Sequence, residues 1–424
     1  MTDSARQKWI KTICNEKGPG RYLFSRQDSA FVDCPDIDAD VVKQYLDKIQ
    51  KAEQALTASL FYMSQSSVVQ FHKETLPQLH RNLNRSTVSK ETVSPSIRGR
   101  IIWGKTKRLQ LYKPNIYASR KSTLNHDIPE NQLLKFYIND VKRVADELIK
   151  VIGTGHITKQ ILEVKHIAAS YLKERSIRNI TLRDKPTSLM RKTALRNKQK
   201  GYSELAVLSH KLTKSLRQKE IETIIDLISR GWFEPIRDDD LFEIYVLVNV
   251  IQQLTTKFGE PTTINGISAL TRSEVAVFVT SDLKISVFFD QSPETITKSQ
   301  YYYTKIANQY NGIYIRPRRP DITIKVTSQD WERILLIEAK FTESKDYVND
   351  SIYKALGYLR DFEVLWDKMK EQKPKVVLVF PEGDISPSSI SGRPLEELEI
   401  LSAEDTSRLD TLVTSITSRQ SNET

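Results

Sequence analysis

The sequence predicts an α/β protein: a mainly helical N-terminal region with a small β element, followed by an α/β domain with a central mixed sheet. Three observations carry that expectation. Before about residue 230, apolar residues recur mostly at three- and four-residue steps, the period of a helix with one buried face. After Trp232, short runs of β-branched and aromatic residues bounded by polar turns dominate. Near the C-terminal end a helical stretch, SIYKALGYLRDFEVLWDKMKE, separates the strand-like RILLIEAKF and KVVLVFPEG. The expected segments are 1–219, helical and basic, 220–385, the α/β domain, and 386–424, a Ser/Thr-rich extension with one weak helix.

Each element follows from local pattern. From Asp38 to about His80, Val42, Leu46, Ile49, Leu56, Leu60 and Met63 mark one packing helix. The polar NRSTVSKETVSPS, residues 84–96, reads as a loop. GRIIWGKT, residues 99–106, matches the phosphate-loop spacing letter for letter. Its spacers Arg100, Ile101, Ile102 and Trp103 are bulky, however, and suit a half-buried strand better than a loop that wraps an anion. No apolar strand precedes it, and Pro114 ends any following helix early, so a strand with basic edges is expected. Pro129 and Glu130 open a long amphipathic helix that closes near Gly153, and more helix follows from about 156 to 230. GTGH, residues 153–156, reads as a helix stop.

Residues 238–259 form an apolar helix, with Asp238, Asp239 and Asp240 complementing its N-terminal dipole. VAVFVT and KISVFFD, separated by SDL, make a hairpin. GIYIRPRRPDITIKV and RILLIEAKF make two further strands joined by the polar TSQDWE, and KVVLVFPEG is a buried strand. Beyond Ile385 only AEDTSRLDTLVTSI has helical spacing.

Composition bounds the class. A chain of 424 residues has room for two or three domains at about 100 to 200 residues each. Apolar residues make up 39% and charged residues 28%, as in a globular protein. No apolar run approaches the roughly 20 residues that span a bilayer, and the first residues, MTDSARQKWIKTICNEKG, lack a signal-peptide core. Cys14 and Cys34 are too few for a disulfide framework or a zinc site, so a reducing cytoplasm is expected. The six histidines show no metal-ligand spacing and are expected at surface or capping positions. The 64 Lys and Arg against 53 Asp and Glu give a formal charge of +11. Between Lys173 and Lys200, ten bases face only Glu174 and Asp184, a net +8. Arg191, Lys192, Arg196 and Lys198 in this run are candidates for neutralising a phosphate backbone, with a solvated helical face as the other reading. Trp103, Tyr112 and Tyr117 interleave with Arg100, Lys105, Lys107, Arg108, Lys113 and Arg120, which suits base stacking or, equally, rings packed inward.

The sharpest chemical signal is RPDITI followed by LLIEAK. On a strand Ile334, Leu336, Glu338 and Lys340 share one face, while Leu335, Ile337, Ala339 and Phe341 share the other. A Glu and a Lys thus emerge together from an apolar strand, a costly placement unless the charges pair or bind a cation. Asp321 begins the preceding strand, and an antiparallel neighbour brings its carboxylate beside Glu338. Two carboxylates and a Lys there can hold Mg²⁺ and orient a water toward a phosphodiester. A structural ion-pair network is the alternative.

This arrangement resembles the PD-(D/E)xK nuclease superfamily, with Pro320-Asp321 as the PD and Glu338-Ala339-Lys340 as the ExK. The resemblance implies a restriction-endonuclease-like domain in which Asp321 and Glu338 bind Mg²⁺ or Mn²⁺ and Lys340 positions the attacking water or stabilises the transition state. Glu243 in LFEIYVLV occupies the place of an acidic residue on the helix before the sheet. Lys354 and Tyr358 in YKALGYL stand where relatives often carry Gln-x-x-x-Tyr, with Lys departing from Gln. Arg316, Arg318 and Arg319, just before the PD, would meet the scissile backbone. The layout, with GRIIWGKT, DIPENQLLKF, LFEIY and DSIYKALGY scattered over residues 97 to 360, looks like the nuclease subunits of McrBC-type restriction systems. That likeness implies a DNA endonuclease in prokaryotic defence with a separate NTPase subunit, an oligomeric form being open to it, or the same fold without activity as a DNA-binding adaptor.

Overall fold

A computed structural model describes residues 3–14, 29–33, 39–49, 51–154, 157–229, 231–265, 274–298, 301–312, 318–342, 345–367, 372–381 and 394–418. Among them the strands are β1 (Ser29–Asp33), β2 (Ser86–Ser94), β3 (Arg100–Ile101), β4 (Tyr117–Asn125), β5 (Gly231–Pro235), β6 (Thr263–Ile264), β7 (Ala276–Val279), β8 (Lys284–Phe289), β9 (Ile322–Thr327), β10 (Glu332–Ala339), β11 (Val376–Phe380) and β12 (Leu398–Ser402). They build a seven-stranded sheet of order β12-β11-β10-β9-β8-β7-β6, a three-stranded sheet β2-β4-β3, and the pair β1-β5. The fold is mixed α/β. No helix among the described residues is long and apolar enough to cross a membrane.

The chain packs as two units, one of Met1–Phe61, Leu148–Lys159 and Ile221–Thr424, the other of Tyr62–Glu147 and Gln160–Glu220. These differ from the expected segments 1–219, 220–385 and 386–424. Trp9 and Ile13, on the helix Asp3–Ile13, belong to the core of the first unit, where Trp9 meets Phe242 at 5.0 Å between ring centroids. β1 pairs with β5 along five residues. The stretch expected as an extension supplies β12, hydrogen-bonded to β11, and the helix Thr406–Thr417, whose Leu409, Leu412, Val413 and Ile416 enter the same core. Burial of that apolar stripe, hidden in a Ser/Thr-rich sequence, draws the segment into the domain.

The large sheet is antiparallel from β6 to β10 and parallel from β10 to β12. A parallel step needs a crossover, supplied between β10 and β11 by the helix Lys345–Asp361. All five residues of β11, VVLVF, are buried, as suits a strand covered on both faces. β10 shows the expected alternation directly. Leu335, Ile337 and Ala339 pack into one core with the helix Asp238–Phe258, whereas Ile334 and Leu336 pack into another with Tyr358, Phe362 and Trp366. The β7-β8 hairpin is formed as expected, but the strand expected over GIYIRPRRPDITIKV begins only at β9: residues 313–317 lie outside the described residues, and residues 318–321, where Pro320 has no N–H to give to a ladder, are not strand.

The second unit corrects several local expectations. Residues 84–96 are not a loop, because β2 pairs along its whole length with β4. Thr87, Val88, Thr92 and Val93 favour extended backbone, and this outweighs the polar composition on a largely exposed strand. GRIIWGKT is strand only at Arg100–Ile101 and then turns into the helix Trp103–Gln110. Gly99, at φ +106°, allows the tight approach to β4, where a Cβ would lie 2.5 Å from Arg120 O. The Thr106 hydroxyl donates to Ala118 O at 3.1 Å and accepts from Ala118 N, while Lys105 pairs with Glu91. Both groups a phosphate loop would use are thus engaged within the fold. The single helix expected over residues 38–80 is broken into Ala39–Lys48, Lys51–Ser64, Ser66–Gln70, a π-helical turn Phe71–Thr75, and Leu76–Arg81, with Gln65 stepping out of helical backbone at ψ 135°. The helix Pro129–Ile152 begins and ends as expected, with Gly153 at φ +77°. His72, expected at a surface or capping position, is buried against Val68 O at 2.8 Å, and burial lowers its pKa to about 4. Cys34 and His156 lie outside the described residues.

If residues 398–417 are integral to the first unit, Leu412→Ala, at a fully buried position, should cost about 2–5 kcal/mol in urea unfolding. An unchanged midpoint would detach this helix from the core.

Candidate functional site

The end of β10 gathers the chemistry. The β9-β10 register opposes Ile322 to Ile337, which brings Asp321, just before β9, level with Glu338. The Ala339 N–H donates to Asp321 Oδ2 at 2.8 Å and fixes that carboxylate. Lys340 Nζ donates to the same Oδ2 at 3.1 Å and to Ala339 O at 2.9 Å, and it pairs with Glu338 Oε1 at 2.8 Å. From the helix Lys345–Asp361, Lys354 pairs with that same Glu338 oxygen. One turn later on the same helix face, the Tyr358 hydroxyl lies 3.3 Å from Glu338 Oε2 and 3.4 Å from Arg319 O, and donates to this pair of acceptors.

The electrostatics follow from burial. The Glu338 side chain is 1% exposed, and a carboxylate so placed needs compensating charge and hydrogen bonds. Two ammonium groups and a phenol supply them. Burial, and then the Glu338 charge, push the Asp321 carboxyl up to about 7 against the pull of Lys340 and Lys354. Burial alone would lower the Lys340 pKa, but Asp321 and Glu338 more than reverse this and raise it. Burial, with the charges of Glu338 and Asp321, drives the Tyr358 hydroxyl far above its ordinary range, so it is a donor at neutral pH.

Lys340 Nζ marks a point where positive charge is wanted: Asp321 Oδ2, Glu338 Oε1 and Ala339 O all lie within 3.1 Å of it. These are hard oxygen donors, the kind that suits Mg²⁺ or Mn²⁺ rather than zinc. Among the described residues no group of three or more His, Cys, Asp or Glu stands together as a metal nest. The donors on hand are therefore two carboxylates and a main-chain carbonyl.

The remaining candidates come from other segments of the chain. Glu243 is half-buried on the helix Asp238–Phe258, where its charge adds a little to an Arg237 pKa raised chiefly by the hydrogen bond to Asp239 and the charge of Asp240. Arg318 is exposed, with its guanidinium 4.9 Å from the centre of the Tyr303 ring, and Arg319 is exposed with its carbonyl facing Tyr358. Arg316 lies outside the described residues. Arg191 and Lys192, on the helix Ser188–Leu195, and Arg196 and Lys198 just after it, belong to the second unit. Lys192, Arg196 and Lys198 are exposed, whereas Arg191 is half-buried and burial lowers its pKa. Sequence reasoning missed the Ala339 amide and carbonyl and the Arg319 carbonyl, because main-chain groups leave no mark in residue type.

No family model matches the chain, and no curated protein does. Among solved structures the chain is similar to a half-complex from a tetradecameric assembly of Thermococcus gammatolerans McrB AAA+ hexamers with bound McrC, at a TM-score of 0.26 and 11% identity, covering 96% of this chain and 75% of that one. It is also similar to a cryo-EM structure of the Thermococcus gammatolerans McrBC complex, at a TM-score of 0.24 and 14% identity, covering 44% of this chain and 47% of that one.

Removing one partner from a buried charge cluster is expected to be pH-dependent. Asp321, with its pKa raised to about 7 from an unfolded value of 3.8, holds its proton in the folded state where the unfolded chain releases it. Its share of stability is thus fully present below about pH 4 and is lost as the pH rises through about 7. Lys340→Met should cost about 3–5 kcal/mol at high pH, where two carboxylates face each other, and clearly less near pH 5. Urea unfolding at the two pH values checks this, and equal losses would show that Lys340 does not neutralise the pair.

Proposed function

We propose that this chain is a Mg²⁺- or Mn²⁺-dependent endodeoxyribonuclease of the PD-(D/E)xK type, acting in a prokaryotic defence or restriction system beside a separate NTPase subunit. The observation that carries the reading is the convergence of Asp321, Glu338 and Lys340 at the end of β10, with three oxygens turned on one cationic nitrogen. The NTPase partner rests on the sequence resemblance. Asp321 and Glu338, with the Ala339 carbonyl, would hold the metal. A divalent cation there lowers the pKa of a bound water and polarises a phosphodiester.

The chain's own groups have separate tasks. The Ala339 amide holds the Asp321 carboxylate in place, and Tyr358 holds Glu338. Lys340 would keep a protonated ammonium beside the reacting phosphate, where it would orient water and stabilise developing negative charge. Lys354, on the more exposed side of Glu338, is placed to meet a phosphate oxygen. Arg318 and Arg319 lie one step from the PD and would grip the backbone. Glu243 would add a ligand through water.

A second reading is a nuclease fold without activity that binds DNA or scaffolds a partner. What favours it is the pairing of Glu338 by both Lys340 and Lys354. Metal binding needs neither substrate nor partner and separates the two. Mn²⁺ should raise the unfolding midpoint of the wild type, by mass action, and leave an Asp321→Asn/Glu338→Gln variant unmoved; no shift in the wild type would favour the adaptor. With DNA, Asp321→Asn, Glu338→Gln or Lys340→Met should each lower metal-dependent nicking by at least about 10²-fold while binding persists. Wild-type nicking by Lys340→Met would remove this Lys from the chemistry. For the basic run, changing Arg191, Lys192, Arg196 and Lys198 to Gln should flatten the salt dependence of duplex binding by roughly 0.9 for each phosphate no longer neutralised. An unchanged slope would make the run a solvated face.

A further inference from the structure

We propose that the β2-β4-β3 sheet and the helix Trp103–Gln110 form a binding surface for single-stranded nucleic acid. It is distinct from both the carboxylate cluster and the basic run at 173–200. Residues 85–121 carry ten Lys and Arg against a single acid, Glu91. That acid is already committed, to Lys105 at 3.0 Å and Arg120 at 2.9 Å. Among the described residues no ion pair is seen for the other eight bases, all of them exposed.

The strand register makes the excess costly. Lys90 stands directly opposite Lys121, and Arg100 opposite Arg120. Like charges facing each other across a ladder destabilise it. Arg120 shares Glu91 with Lys105, but among the described residues no ion pair is seen for Arg100, Lys90 or Lys121, whose side chains are exposed. A polyanion on the face of Arg100, Arg120 and Lys105 meets bases that outnumber Glu91 there and releases counterions to solvent, whereas Lys90 and Lys121, one residue out of step, stand on the opposite face.

Charge alone would suit any polyanion; the rings narrow the choice. Trp103, at the start of the helix, is 61% exposed, and Tyr112, just past its end, 85%. Along the helix, Trp103, Lys107 and Leu111 are four residues apart and share one exposed face, while Thr106 beside them is buried, its hydroxyl bonded to the Ala118 main chain. An exposed ring next to an exposed base gives the fold nothing. With an unpaired nucleotide it gives a stacking platform beside a phosphate contact. A duplex keeps its base faces stacked inside, so the combination selects single strands. An acidic protein would answer the charges but leave the rings unexplained.

The test uses the full chain with chelator present, so that no phosphodiester is cut and failure of the nuclease reading leaves the result intact. Anisotropy of a labelled oligo-dT should report salt-dependent binding by the wild type, stronger than to a hairpin duplex with the same number of phosphates. Trp103→Ala/Tyr112→Ala should weaken oligo-dT binding about tenfold or more with the salt slope unchanged. Arg98→Gln/Lys107→Gln/Arg108→Gln should flatten the slope by roughly 0.7 for each phosphate no longer neutralised. Circular dichroism of these exposed-site variants should match the wild type. Oligo-dT affinity unmoved by both sets overturns the proposal. So does loss of poly-glutamate binding in the second set while oligo-dT binding persists, which assigns the surface to an acidic protein.

Discussion

Around Glu338 the domain meets its strictest electrostatic demand. A carboxylate almost entirely removed from water, at the end of an apolar strand and next to a second buried carboxylate, is tolerable only if positive charge and donors are delivered to it. The surrounding elements can be understood as that delivery. The β9-β10 turn brings Asp321 and its amide anchor into line, Lys340 folds back across both carboxylates, and the crossover helix contributes Lys354 and Tyr358 one turn apart. Removing the helix would leave β10 without its parallel neighbour and Glu338 without two of its donors.

The same demand explains why a charged cluster can be structural and chemical at once. A site that folds around a Lys bridging two carboxylates is stable before any ligand arrives. Its oxygens are already collected around one ammonium nitrogen. Asp321, raised to about 7 by burial and by Glu338, sits where a modest change in local positive charge decides whether it is ionised.

Parts of this were legible in the sequence for a physical reason. Alternation on β10 is a property of extended backbone, so the shared face of Glu338 and Lys340 and the two-sided burial of LLIEA follow from spacing alone. The helix Asp238–Phe258 announced itself by its acidic start, with Gly259 at its end in left-handed backbone at φ +79°. β2 was not legible, because an exposed strand of Ser and Thr has no apolar pattern to show and is recognised only through its partner β4. β12 and the helix after it were obscured by Ser/Thr-rich surroundings that dilute a short buried stripe. The donors from Ala339 and Arg319 belong to the main chain and are invisible to any reading of residue types.

Both the helix Asp3–Ile13 and the helix Thr406–Thr417 contribute to the core formed by the helix Asp238–Phe258 and the large sheet. The elements that close this core are therefore separated by some four hundred residues of chain. Pairings between such distant positions make for a high contact order and slow assembly. During synthesis the strand bearing Glu338 is made well before β12 and the last helix that complete its sheet and cover it. Until those arrive the core on the Leu335–Ile337 face of β10 stays open, so it is among the last features of the molecule to close, while the helix made directly after β10 already offers Lys354 and Tyr358 to Glu338 on the other face.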